Sequence, residues 1–85
     1  MKILYTRSFA RDYQRLPERV REQVDKQLNF LMNNPRHPSL NIKKLNDPRD
    51  IWEGHISSGY RFTFNIKSDM YILRKVDTHD VLLNP

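Results

Sequence analysis

The chain predicts an α+β domain, β-α-α-β-β-β(-β), with a hairpin of helices packed on one face of a small, mainly antiparallel sheet. Three observations predict it. Apolar residues recur at helical spacing in two runs, Phe9 to Leu16 and Val20 to Leu31. Apolar and polar residues alternate in three runs after position 50, separated by short Ser/Gly- and Ser/Asp-containing turns. A similar alternation opens the chain. Strands and helices grouped in this way, rather than interleaved, indicate helices segregated to one side of a sheet.

"KILYT", residues 2–6, alternates and is rich in β-formers, which predicts the first strand. Ser8 is placed to cap the helix that follows. In that helix Phe9, Tyr13 and Leu16 share one face, and it stops at Leu16 because a residue before proline avoids helical geometry. Pro17 suits the first turn of a second helix, where Val20, Val24, Leu28 and Leu31 form the apolar stripe. "NNPRHP" ends it. "IKKLNDPRD" reads as a short edge strand or an ordered loop, and strands are expected at about 51–56, 60–66 and 70–76. "DTHDVLLNP" offers one more short strand.

With 85 residues there is apolar surface for a single core, so residues 1–85 are read as one domain. No stretch approaches the roughly 20 apolar residues that span a bilayer. The N-terminus lacks the apolar core of a secretory signal, which predicts a cytoplasmic protein. The chain has no cysteine, which excludes disulfides, thiolate nucleophiles and cysteine zinc sites. The three histidines show no metal-ligand spacing and the two glycines make no phosphate loop, so neither metal nor cofactor is expected. Fifteen Lys and Arg against ten Asp and Glu give a net charge of +5, which favours a polyanionic partner.

The hairpin at "IWEGHISSGYRFTF" fixes which side chains share a face. A three-residue loop Ser57-Ser58-Gly59 with a left-handed glycine pairs Ile56 with Tyr60, Gly54 with Phe62 and Trp52 with Phe64 on the core side. The same register sets His55 opposite Arg61 and Glu53 opposite Thr63 on the face away from the helices. A guanidinium beside an imidazole disfavours its charged form, so His55 is expected neutral, in the state of a base, unless Glu53 compensates. His79 in "DTHD" lies between Asp77 and Asp80. Lys43 and Lys44, with Arg74 and Lys75, are candidates for gripping phosphates. His37, between two prolines, reads as a loop residue.

The string "NP" after the second helix, "KKL" before the sheet, "W-E-x-x-I" running into "SSGYR-x-x-F", and "ILRKV-x-THD" near the end resembles the RelE/ParE superfamily of bacterial toxin–antitoxin toxins. The likeness covers nearly the whole chain in the same order of elements. It implies a toxin that enters the ribosome and cuts mRNA without metal, the 2′-OH attacking the adjacent phosphate. It also implies an antitoxin partner. By this resemblance Arg61 holds transition-state charge, His79 matches the histidine of the YoeB- and YafQ-like branches and acts as general acid, and His55 or Glu53 is the base. Leu82 and Leu83 stand where many relatives carry a tyrosine, so a substrate base would stack elsewhere, on Tyr60, Tyr71 or Trp52. The ParE-like branch, which poisons DNA gyrase by binding, is the main alternative, and a non-cutting RNA- or antitoxin-binding module is the third.

Overall fold

The computed structural model describes all residues, Met1–Pro85. Strand β1 (Lys2–Tyr5) leads into α1 (Arg7–Arg15) and α2 (Glu18–Asn33), and a short 3₁₀ turn (Pro38–Leu40) brings the chain to β2 (Lys43–Lys44). From there β3 (Trp52–Ser57), β4 (Tyr60–Lys67) and β5 (Met70–Thr78) meander back across the sheet, and a final 3₁₀ turn (His79–Leu83) follows. The sheet order is β1-β5-β4-β3-β2. Only the β1–β5 pair is parallel, because the helical hairpin carries the chain from one edge of the sheet to the other.

Thr6, rather than the expected Ser8, caps α1. Its extended backbone lets Oγ1 accept from the Phe9 N–H at 3.2 Å, while the hydroxyl donates to the Leu73 carbonyl at 2.7 Å. One hydroxyl therefore starts the helix and ties it to β5. Leu16 is extended at ψ 147°, as its proline neighbour requires, so α1 and α2 turn sharply against each other.

The core lies between the helical hairpin and the sheet. Phe9, Leu16, Val20, Val24, Leu28 and Leu31 come from the helices, and Ile56, Phe62, Phe64, Tyr71, Leu73 and Val76 from the strands. Each fully buried aliphatic or phenyl side chain contributes about 1.5–3 kcal/mol of transfer free energy. Gly54 is needed here for space, since a Cβ would overlap the ring of Phe62. Leu73 and Val76 both face this core although three residues apart, which strict alternation forbids. A bulge resolves the conflict: Thr63 pairs with Lys75 and Phe64 with Leu73, leaving Arg74 as the extra residue.

Two expectations near the hairpin need correction. Trp52–Phe64, Glu53–Thr63, Gly54–Phe62 and His55–Arg61 pair as the alternation requires, but Ser57, not Ile56, faces Tyr60. Ile56 occupies a bulge, the loop is the two residues Ser58-Gly59, and Gly59 does not adopt positive φ. Nor is the tail a strand. The final 3₁₀ turn crosses the sheet face away from the helices, burying Val81 there while Leu83 stays in water. That face is consequently not open along its length. Thr63 is fully buried and its hydroxyl donates to the Pro85 carbonyl at 3.1 Å; Glu53 beside it is 2% exposed.

Candidate functional site

Cross-strand pairing places His55 and Arg61 directly opposite each other on the side away from the helices, where facing Cβ atoms lie about 4.5–5.5 Å apart. Both are half-buried. Tyr60 pairs with Thr78, and the His79 N–H donates to the Gly59 carbonyl at 3.2 Å, so the final turn starts at the hairpin loop and brings an exposed His79 to the same end of the sheet. The His79 backbone is thus tied to the loop that separates His55 from Arg61, and its imidazole is near enough to repel a charged His55 weakly.

Burial lowers the pKa of His55 most, and the Arg61 charge lowers it further; Glu53 opposes them, while Lys43 and His79 add smaller repulsions. The neutral ring expected from sequence is what this surrounding favours. Asn41 supplies the nearest polar contact, its side-chain Nδ2 lying 3.1 Å from His55 Nε2. The strand behind the ring is fixed from the helical side: buried Gln27 on α2 donates Nε2 to the His55 carbonyl at 2.9 Å. Gln27 also reaches the Ser39 carbonyl and hydroxyl, joining β3 to the first 3₁₀ turn.

Arg61 folds back toward its own turn. Nη1 donates to the carbonyls of Ser57 at 2.7 Å, Tyr60 at 2.9 Å and Ser58 at 3.3 Å. Its Nε and Nη2 donors are outside this set, so the guanidinium keeps capacity for an anion while one nitrogen is anchored.

The remaining sequence candidates are differently placed. Glu53 is on the same face but buried beneath the tail, with Oε1 ion-paired to Lys43 at 3.3 Å and Oε2 without a hydrogen-bond partner. It cannot reach a substrate proton from there without the tail moving. Lys43 is thus committed to Glu53, and Lys44 to Asp50 at 3.1 Å. Arg74 donates from Nη1 to Asn65 and from Nε to the Pro85 carbonyl. Lys43 and Lys44 keep more than half of their side chains in water within these pairs, Arg74 is hydrogen-bonded to the fold, and Lys75 carries no ion pair. Tyr71 is buried in the main core, and Trp52 and Tyr60 are partly buried against it. No group of three or more His, Cys, Asp or Glu side chains converges in metal-ligating geometry. No helix is long and apolar enough to cross a membrane.

Sequence reasoning overlooked Gln27, Asn41 and Asn65. Gln27 had a signal, a polar residue inside the Val20–Leu31 stripe that had to find a buried partner. Asn41 had a weaker one, as an asparagine following a proline-led turn, where left-handed backbone is often required. Asn65 holds the β2–β3 loop by donating to the carbonyls of Arg49 and Asp50, a long-range role without local signature.

Neither a protein-family model nor a curated protein sequence matches the chain. Solved structures do. A YoeB/ParE toxin from Agrobacterium tumefaciens superposes with a TM-score of 0.75 at 20% identity, covering 93% of this chain and 99% of that one. YafQ from Escherichia coli gives a TM-score of 0.79 at 15% identity over 98% of both chains. A chain of the RelB–RelE antitoxin–toxin complex from Methanococcus jannaschii gives 0.76 at 18% identity over 95% of both. The two helices on a five-stranded mixed sheet thus match the fold of these RelE-like toxins.

Proposed function

We propose that this protein is the toxin of a type II toxin–antitoxin pair and acts as an endoribonuclease on mRNA held by the ribosome. The observation that supports this reading is the meeting of His55, Arg61 and His79 around one hairpin end within a RelE/ParE fold. Cleavage by the RNA's own 2′-OH needs a base, an acid and a cation. His55, favoured in its neutral form, takes the 2′-OH proton; the oxygen bonds to phosphorus as the bond to the leaving 5′ oxygen breaks. His79 protonates that leaving oxygen. Arg61 offsets the charge that accumulates on the phosphoryl oxygens, with its anchored nitrogen limiting the reorganisation required. Glu53, buried and paired, tunes His55 electrostatically in this scheme and is not the base.

The structures that share the fold include DinJ–YafQ and RelB–RelE complexes, which supports an antitoxin as the partner of this chain. A cytoplasmic location accords with this proposal. The competing reading is a toxin that binds without cutting, in the manner of the ParE branch. It is favoured by the pairing of Lys43 with Glu53 and Lys44 with Asp50 and by the hydrogen bonds of Arg74 to Asn65 and Pro85, which engage three of the four cations expected from sequence to grip phosphates.

Induced expression with mapping of mRNA 3′ ends separates the two. Codon-phased cuts that disappear in Arg61→Ala and His79→Ala support the nuclease; growth arrest with intact mRNA and a DNA-damage response supports gyrase poisoning.

A further inference from the structure

Asn41 and Gln27 belong to no element of the catalytic scheme above, yet both contact the residue that it makes the base. An amide NH₂ group only donates, so the 3.1 Å contact between Asn41 Nδ2 and His55 Nε2 requires Nε2 to accept and places the ring proton on Nδ1. Asn41 holds this position with left-handed backbone, φ 43° and ψ 50°, at the end of the first 3₁₀ turn, a conformation asparagine tolerates better than most residues. Its carrier turn and the strand of His55 are joined by one buried side chain. Gln27 Nε2 donates to the His55 carbonyl at 2.9 Å and lies 3.3–3.4 Å from the Ser39 hydroxyl and carbonyl.

We propose that Asn41 is a positioning residue that holds His55 in the neutral tautomer with its lone pair at Nε2, and that Gln27 sets the spacing which allows it. The inference rests on the nuclease reading for its purpose, but not for its geometry. On this view Nε2 is the atom that receives the 2′-OH proton, and the Asn41 amide occupies the hydroxyl's place until RNA arrives. The substrate hydroxyl then replaces a donor with a donor, so His55 does not need to change tautomer on binding. The charged and titratable groups around the ring are Arg61 on β4, Glu53 on β3, Lys43 on β2 and His79 on the final turn; none of them is the Nε2 partner.

The test is long-range ¹⁵N NMR of the His55 imidazole across a pH titration in the full chain, with Asn41→Gly and Asn41→Asp. Glycine keeps the left-handed backbone at no steric cost, so the fold is retained while the amide is lost. The wild type is expected to show the Nδ1–H tautomer. In Asn41→Gly the His55 midpoint rises and the tautomers mix; in Asn41→Asp the carboxylate accepts from Nε2–H, inverting the tautomer and raising the midpoint further. Gln27→Met, similar in volume, is expected to shift the His55 signals in the same direction as Asn41→Gly but less. Cleavage on programmed ribosomes follows: Asn41→Asp falls toward the about 10²- to 10⁴-fold loss that a missing general base causes, with its onset moved to higher pH. An Nε2–H ring in the wild type, or unchanged tautomer and midpoint in both Asn41 variants, overturns the proposal. A wild type that cuts no RNA while the imidazole responds as described refutes the nuclease reading and leaves the positioning role standing.

Discussion

His55 and Arg61 face each other across β3 and β4, and the guanidinium is held there by three carbonyls of the intervening hairpin. Arg61 therefore serves the turn and the imidazole at once. Substituting Arg61→Ala is expected to raise the His55 pKa, because a neighbouring positive charge is removed while burial persists. A ¹H–¹⁵N titration of the ring gives the shift directly; a midpoint that falls or stays fixed contradicts the assignment of the cause.

The same depressed pKa makes stability depend on pH. Between the folded value and the ordinary 6.5, the unfolded chain binds more protons at His55 than the native one, so stability rises with pH through this window. Below the folded value the full penalty is present. Denaturation midpoints recorded from pH 7.5 down to 5 are expected to drop more for the wild type than for His55→Gln, which has nothing to titrate there.

Glu53 makes a further prediction. Its carboxylate is buried and has one ionic partner, Lys43 Nζ, which is itself largely in water. Lys43→Met leaves that buried group without its partner and is expected to cost about 1–3 kcal/mol by chemical denaturation. Adding Glu53→Gln to Lys43→Met is expected to recover most of the loss, since the stranded charge is then absent. Equal destabilisation in the single and double variants would contradict the pairing.

Gly54→Ala tests the close approach of β3 to Phe62. A methyl group has no room beneath the ring, and overpacking of this kind typically costs about 1–3 kcal/mol. Gly59→Ala, at a position with open space and no positive φ, is expected to change the denaturation midpoint little.

Asp47 anchors the β2–β3 loop and titrates low. Arg49, through side-chain and then backbone hydrogen bonds, holds its pKa down to about 2 from the usual 3.8. That support is present above about 3.8 and lost as pH falls toward about 2. Because the pair lies at the surface, the expected readout is local: the Arg49 amide, which donates to Asp47 Oδ1 at 2.8 Å, exchanges faster in Asp47→Asn and in acid.

Much of this fold was legible because burial on one face leaves alternation and helical stripes little freedom. The pairs Trp52–Phe64, Gly54–Phe62 and His55–Arg61 follow from parity alone once Phe62 and Phe64 must face inward. What escaped was set by contacts distant in sequence. Nothing near Thr63 announces that Pro85 covers it, and nothing in "VLLNP" distinguishes a strand from a 3₁₀ turn. The hairpin loop was misread by one residue because Ile56 bulges, which an apolar residue beside a Ser-Ser-Gly run does not signal. For the site, the cross-strand partners were readable, whereas the ion pairs of Lys43 and Lys44 and the helix-to-strand bond of Gln27 depend on how separate elements meet.

The most direct measurement is cleavage of a defined mRNA on programmed ribosomes, with chelator present, followed by mapping of the new ends. The account predicts a cut within the codon in the decoding site, insensitive to chelator and reduced by about 10²-fold or more in His79→Ala and in His55→Gln. Intact mRNA under conditions where the wild-type protein arrests growth, or cleavage that survives both substitutions unchanged, would contradict it.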